Sequence, residues 1–118
     1  MPNTYDLTYL KEVSKGNDDF MLEMIDLFLT KTPETLLILE AAINDMNWDQ
    51  TGFYAHKLKA TYAYMGMHDL KEILVKIEKN AKILSELESI PALFKNLKTR
   101  TQPAMQEINE YKLSLVRA

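Results

Sequence analysis

The chain has 118 residues, 47% of them hydrophobic, which suits one domain with a substantial core. A net charge of −3 without a basic run argues against nucleic-acid binding, and the absence of cysteine excludes disulfides and thiolate metal sites. Residues 1–10 lack the segments of a signal peptide, and no apolar run approaches the ~20 residues that a membrane-spanning helix needs. We expect residues 1–118 to form a single cytoplasmic, monomeric domain.

Apolar residues recur at helical spacing in five segments. The predicted helices run over Asp6–Val13, from Asn17 or Asp18 to Met46, over Trp48–Met65, from Met67 or His68 to Leu84, and from about Pro91 onwards. Gly16 and Gly66 end the first and third of them, whereas Pro33 is predicted to mark a restart or kink in the second and Pro103 a kink in the last. The sequence therefore predicts an all-α antiparallel four-helix bundle with an additional short N-terminal helix.

The third predicted helix has an unusual exposed face. Its buried face is predicted from the three- and four-residue spacing of Trp48, Thr51, Tyr54, Ala55, Leu58, Tyr62 and Met65. The opposite face carries His56, surrounded by Gly52, Phe53, Lys59 and Ala60, with Ala63 further along. A solvated face normally carries Glu, Lys and Gln. Here small residues leave room for another molecule, and an exposed aromatic ring offers it apolar area to bury.

Two charged residues are predicted to assist His56. Lys59 lies one turn further on and can place its ammonium beside an anionic group attached to the ring. If the next hairpin folds about Gly66, Glu78 lies level with His56, and its carboxylate accepts a hydrogen bond from one ring nitrogen. Such a bond fixes the tautomer and leaves the other nitrogen as a nucleophile.

Each of these residues also has an ordinary interpretation. A lone helical histidine is most often a surface residue, Phe53 can be a scattered apolar residue, and Glu78 can simply pair with Lys82 at i+4. Their conjunction favours the functional interpretation. His68, at a helix start, is assigned to packing or capping. No metal site is predicted, because His56 and His68 do not fall on one face.

A known family shares the pattern around His56. Residues 55–61 read Ala-His-Lys-Leu-Lys-Ala-Thr, and Gly66 and Leu70 follow. This resembles the signature of histidine-containing phosphotransfer (HPt) domains of multistep phosphorelays, which reads Ala-His-x-Leu-Lys-Gly-Ser, then Gly, then Leu. Ala60 stands where the family commonly has glycine, and Thr61 preserves the hydroxyl of a common serine.

The resemblance implies a role for each residue of the site. His56 is the phosphorylated residue, Lys59 stabilises the phosphoryl group, and Glu78 orients the imidazole. The receiver-docking surface that the resemblance implies comprises Phe20, Met24, Gly52, Phe53, Lys57, Ala60 and Ala63.

The function implied is that of a phosphocarrier rather than an enzyme. His56 takes a phosphoryl group from the aspartate of a receiver domain and passes it to another receiver. The partners are response regulators and hybrid sensor histidine kinases. No nucleotide-binding pattern or cofactor is expected in this chain, since Mg²⁺ belongs to the partner receiver. The alternative is a helical adaptor that binds a receiver or kinase domain without phosphotransfer, and the presence of His56 favours the phosphocarrier.

Overall fold

The computed structural model describes residues 5–117, and within that range the chain forms five α-helices and no strand. The helices are α1 (Thr8–Ser14), α2 (Asp18–Asn44), α3 (Trp48–Tyr64), α4 (His68–Ile83) and α5 (Ile90–Arg117), with a 3₁₀ turn at Leu87–Ser89 before the last. The predicted all-α architecture with a short N-terminal helix is confirmed.

Helices α2 to α5 pack in a closed ring, in which α3 lies between α2 and α4, and α5 lies between α4 and α2. Short connections join successive helices, which therefore run antiparallel. One hydrophobic cluster fills the ring, and its fully buried members include Leu10, Ile25, Leu39, Leu58, Leu74, Ile77, Leu97 and Ile108. Within the described range, every helix is too short or too polar to span a bilayer.

The two internal prolines do not break their helices. The predicted restart at Pro33 is wrong, because α2 runs without interruption over 27 residues. A proline removes one backbone hydrogen bond, but Phe28 and Leu36 on either side are buried against neighbouring helices, and this packing holds the helix together. Helix α5 likewise continues through Pro103 to Arg117.

Two helix ends also differ from the prediction. Helix α2 ends at Asn44, two residues before the predicted Met46, and the side chain of Asn47 caps α3 by accepting a hydrogen bond from the backbone N–H of Gln50 at 3.2 Å. Leu84, the predicted last residue of the fourth helix, lies just beyond the end of α4 at Ile83. It caps the helix in the left-handed conformation, with φ of 54°, and this turns its side chain out to solvent.

The turn between α3 and α4 requires glycine at position 66 for two reasons. Gly66 has φ of +69°, a conformation that side-chain-bearing residues rarely adopt. A β-carbon there would also lie 1.8 Å from the backbone carbonyl oxygen of Asp6. Gly66 therefore closes the α3–α4 hairpin and allows the backbone of Asp6 to pack directly against that turn.

Candidate phosphoryl-transfer site

His56 lies on α3 with its side chain 64% exposed, and its ring is held from the neighbouring helix. Ring atom Nδ1 is 2.6 Å from Oε2 of Glu78 on α4. The Glu78 side chain is only 8% exposed, because residues above and below it on α4 belong to the core. An exposed imidazole is thus attached to a buried carboxylate across the α3–α4 hairpin.

Glu78 is ionised in this environment. Burial alone would raise the pKa of Glu78, but hydrogen bonds from Lys59, His56 and Lys82 outweigh it and hold the pKa below its usual value. An ionised carboxylate can only accept hydrogen bonds, so Nδ1 of His56 carries the proton that it donates. In the neutral ring, Nε2 then has the free lone pair.

Lys59 and Lys82 bind opposite edges of the same carboxylate. Nζ of Lys59 donates to Oε1 of Glu78 at 2.7 Å, and Nζ of Lys82 lies 3.2 Å from Oε2. From the sequence, the Glu78–Lys82 ion pair was an alternative to the Glu78–His56 hydrogen bond, yet the structure contains both. The signal for Lys82 was its i+4 spacing from Glu78, which places both side chains on one face of α4.

Gly52 does not lie on the exposed face of α3, so the prediction from the sequence is wrong for this residue. It is buried against α4, where a β-carbon would lie 3.6 Å from Cγ of Lys82 and 3.9 Å from Cβ of Ala81. The helices approach closely at this point, so the stem of Lys82 covers the glycine. The space left by the missing side chain of Gly52 is therefore filled by residues of α4 and is not open to another molecule.

Two shallow depressions are lined in part by residues of α3, the helix that carries His56. One, of about 340 Å³, is lined by Trp48, Asp49, Gly52, Phe53, His56 and Lys82. The other, of about 330 Å³, lies between α2 and α3, and is lined by Met24, Leu27, Phe28, Lys31, Ala60, Thr61, Tyr64 and Met65. The second depression brings Met24 and Ala60, which are 36 positions apart in sequence, onto one surface.

The remaining residues of the implied docking surface differ in exposure. Phe53 is 62% exposed, and its ring stands edge-on to Tyr54 with 5.0 Å between ring centres. Lys57 and Ala60 are exposed and Ala63 is half-buried on the same helix. Phe20 and Met24 of α2 are also half-buried and pack against the core.

His68 takes no part in this cluster. It is exposed at the first position of α4, and Met67 before it is the N-cap residue. Among residues 5–117, no three His, Cys, Asp or Glu side chains are grouped as metal ligands.

Comparisons with known proteins agree with this fold. A family model of the Hpt domain matches residues 23–110. The structure is similar to the crystal structure of histidine-containing phosphotransfer protein B (HptB) from Pseudomonas aeruginosa PAO1, with a TM-score of 0.87 and 20% sequence identity. That similarity covers 97% of this chain and 98% of the other. No curated protein sequence matches the chain.

Because the family model matches most of the sequence, the chain belongs to the Hpt domain family. Its function is histidine phosphotransfer in phosphorelays.

Proposed function

We propose that His56 is the residue that carries the phosphoryl group, and that it exchanges this group with the aspartates of receiver domains. The observation that carries the proposal is the exposed His56 ring, whose Nδ1 is 2.6 Å from the buried carboxylate of Glu78. This contact leaves Nε2 as the nucleophile and aims it away from the bundle.

The transfer step is written for a neutral His56. The lone pair of Nε2 attacks the phosphorus of an aspartyl phosphate, and the bond from phosphorus to the aspartate oxygen breaks. The electron pair of that bond returns to the aspartate, which leaves as a carboxylate. Because Nδ1 keeps its proton, the ring becomes positively charged, and the Glu78 carboxylate stabilises it. Transfer to a second receiver is the reverse of these events.

Lys59 is proposed to stabilise the transferred group. Its ammonium lies one helical turn from His56, and its side chain is 28% exposed, so it can reach an anion on Nε2. Positioning and charge stabilisation supply most of the catalysis in such a loose transition state.

We further propose that receiver domains dock around His56. The proposed contacts are Phe53, Lys57, Ala60 and Ala63 of α3, Phe20 and Met24 of α2, and the rim formed by Gly52. An exposed phenylalanine beside small residues gives a partner both apolar area and clearance. Because Gly52 is buried, only its backbone is proposed to contact a receiver.

In this proposal the chain is a phosphocarrier and not an enzyme that acts on its own substrate. Mg²⁺ and the acceptor aspartate are supplied by the receiver, and the chain needs no cofactor of its own. Residues 1–118 form a single domain in this proposal, and it works in the cytoplasm, where receiver domains of response regulators and hybrid kinases are met.

The test uses a panel of receiver domains labelled with radioactive acetyl phosphate in the presence of Mg²⁺. We expect label to move from at least one receiver to this chain, in an acid-labile and base-stable linkage. His56→Gln should take up none, while His68→Gln, the matched control, should be labelled normally. Label that persists in His56→Gln would refute the assignment. A partner that binds His56→Ala normally, with no transfer from any receiver, would favour the adaptor.

A further inference from the structure

The three polar side chains around Glu78 bind its two oxygens unequally. Among residues 5–117, Lys59 is the one partner of Oε1, at 2.7 Å, whereas His56 and Lys82 share Oε2, at 2.6 Å and 3.2 Å. Lys82 therefore pairs with the same oxygen that holds the imidazole. Its side chain is 63% exposed, in contrast to that of Glu78.

We propose that Lys82 is a positioning residue for phosphoryl transfer: it keeps Glu78 paired and so frees Lys59 to bind the phosphoryl group on His56. This inference rests on the proposed function. A buried carboxylate that loses its only cation is strongly destabilised. With Lys82 on Oε2, Glu78 retains a cation and the Nδ1–H bond when the ammonium of Lys59 moves to the phosphoryl oxygens.

The charge balance of the cluster supports this division of roles. Before transfer, one carboxylate and two ammonium groups leave one net positive charge beside a neutral ring. Transfer adds a phosphoryl group of about two negative charges, and the ring gains one positive charge because Nδ1 keeps its proton. The cluster with Lys82 is then neutral. Without Lys82 it would be left with one net negative charge next to the half-buried Lys59 and the buried Glu78.

The packing of α3 against α4 explains how an exposed lysine is held in this position. The stem of Lys82 lies over Gly52, where only 3.6 Å would separate its Cγ from a β-carbon. The helix surface thus directs the ammonium towards Glu78. The stem of Lys82 is thus covered on one side while its ammonium keeps access to solvent.

The test separates the chemistry at His56 from the docking of a receiver. Phosphoramidate serves as the donor, since it delivers a phosphoryl group to Nε2 with ammonia as the leaving group and needs no protein partner. We expect Lys82→Gln to load about tenfold more slowly, the effect of losing one hydrogen bond to a charged group. Lys82→Arg keeps the charge and should load within about twofold of the unmodified protein.

Lys79→Gln is the matched control, because Lys79 is an exposed lysine on α4 whose side chain is not among the partners of Glu78. It should load at the normal rate and unfold in urea at the normal midpoint. Lys82→Gln removes one donor to Glu78 and should unfold at a somewhat lower midpoint, while it remains folded under the conditions of the loading assay. Equal slowing of Lys79→Gln and Lys82→Gln would mean unspecific attraction of an anionic donor, and would overturn the inference.

The failure of this inference is distinguishable from the failure of the proposed function. If Lys82→Gln loads normally while His56→Gln does not load, the role of Lys82 is wrong and that of His56 stands. If the unmodified protein takes no phosphoryl group, from phosphoramidate or from any receiver, the proposed function fails and the inference fails with it.

Discussion

Glu78 is charged although its side chain is only 8% exposed, and this state depends on three N–H donors from two helices. The cost of burying the carboxylate is offset only while those donors remain in place. The same contacts that orient His56 therefore also contribute to the stability of the fold. At the scale of single residues, the site and the core are linked through one side chain.

Replacement of Glu78 by glutamine should flatten the dependence of stability on pH in the acid range. The pKa of Glu78 in the folded protein lies below its ordinary value of 4.5, despite burial, because Lys59, His56 and Lys82 hydrogen-bond to it. The stabilisation that this shift provides is complete above about pH 4.5 and is lost as the pH falls through the folded-state pKa. Glutamine does not titrate, so this contribution is absent from Glu78→Gln.

Urea unfolding between about pH 3 and about pH 7 measures this contribution. The free energy of unfolding should fall less steeply with acid in Glu78→Gln than in the unmodified protein. Parallel profiles for the two proteins would show that the folded-state pKa of Glu78 is not lowered.

At the scale of elements, the exposed face of α3 is predicted to be the part of the chain that receivers approach. Ala60→Gln adds bulk one turn from His56 and keeps a good helix former. We expect transfer from a phosphorylated receiver to slow by about tenfold, because a central contact of an interface is blocked. Loading from phosphoramidate should change by no more than about twofold, since no docking is needed.

Ala92→Gln, at an exposed position of α5, is the control for that comparison. It should leave both rates unchanged. If Ala60→Gln slowed both reactions equally, Ala60 would act on the chemistry of His56 and not on docking.

The α3–α4 hairpin depends on Gly66, and Gly16 provides a matched comparison. Both glycines have positive φ, but a β-carbon at Gly16 would meet no described residue within 4 Å, whereas at Gly66 it would meet the backbone of Asp6. Gly16→Ala should cost about 1 kcal/mol from backbone strain alone. Gly66→Ala should cost roughly 2 kcal/mol or more, because the N-terminal segment must also move. Equal losses in urea unfolding would contradict the close approach of Asp6.

The hairpin also explains which parts of the site could be inferred from sequence. The turn at Gly66 sets the level at which α4 returns past α3, so a position near 78 could be placed beside His56 by counting residues. The rotation of each helix about its axis is decided by tertiary packing, which periodicity does not resolve at the edge of a core face. Gly52 lies at such an edge, and its burial beneath Lys82 was therefore not predicted.

At the scale of the whole molecule, a buried hydrogen-bonded chain ties α3 to α5. The hydroxyl of Tyr62 lies 2.8 Å from Oγ1 of Thr101, which in turn donates to the carbonyl of Leu97 at 2.7 Å. Since the Thr101 proton is used in the second bond, Tyr62 is the donor in the first. Burial raises the pKa of Tyr62 to about 12, despite the bond to Thr101, so the hydroxyl stays protonated at neutral pH.

The direction of these two hydrogen bonds, from Tyr62 to Thr101 and from Thr101 to Leu97, predicts that two substitutions differ in their cost. Tyr62→Phe removes the donor but leaves Thr101 bonded to Leu97, and should cost about 1 kcal/mol. Thr101→Val strands the buried Tyr62 hydroxyl without its acceptor, and should cost more, up to about 3 kcal/mol. Urea unfolding of the two variants measures the difference. A larger loss for Tyr62→Phe would mean that the donor has been assigned the wrong way round.

The bundle as a whole was predictable because helical periodicity extends over nearly the entire sequence. Local rules failed where packing overrides them: α2 continues through Pro33 because buried residues on both sides hold it. Long-range pairs such as Tyr62 with Thr101, 39 positions apart, leave no local signal in the sequence and emerge only when the ring of helices closes.

The central claim is that His56 accepts the phosphoryl group on Nε2 while Glu78 holds Nδ1. The most direct test is NMR of the phosphorylated protein, labelled with nitrogen-15 at histidine, in which coupling to phosphorus identifies the bonded nitrogen. Coupling at Nε2 of His56, with Nδ1 still protonated and bonded to Glu78, is the predicted result. Phosphorus on Nδ1 of His56, or on His68 instead, would contradict the account.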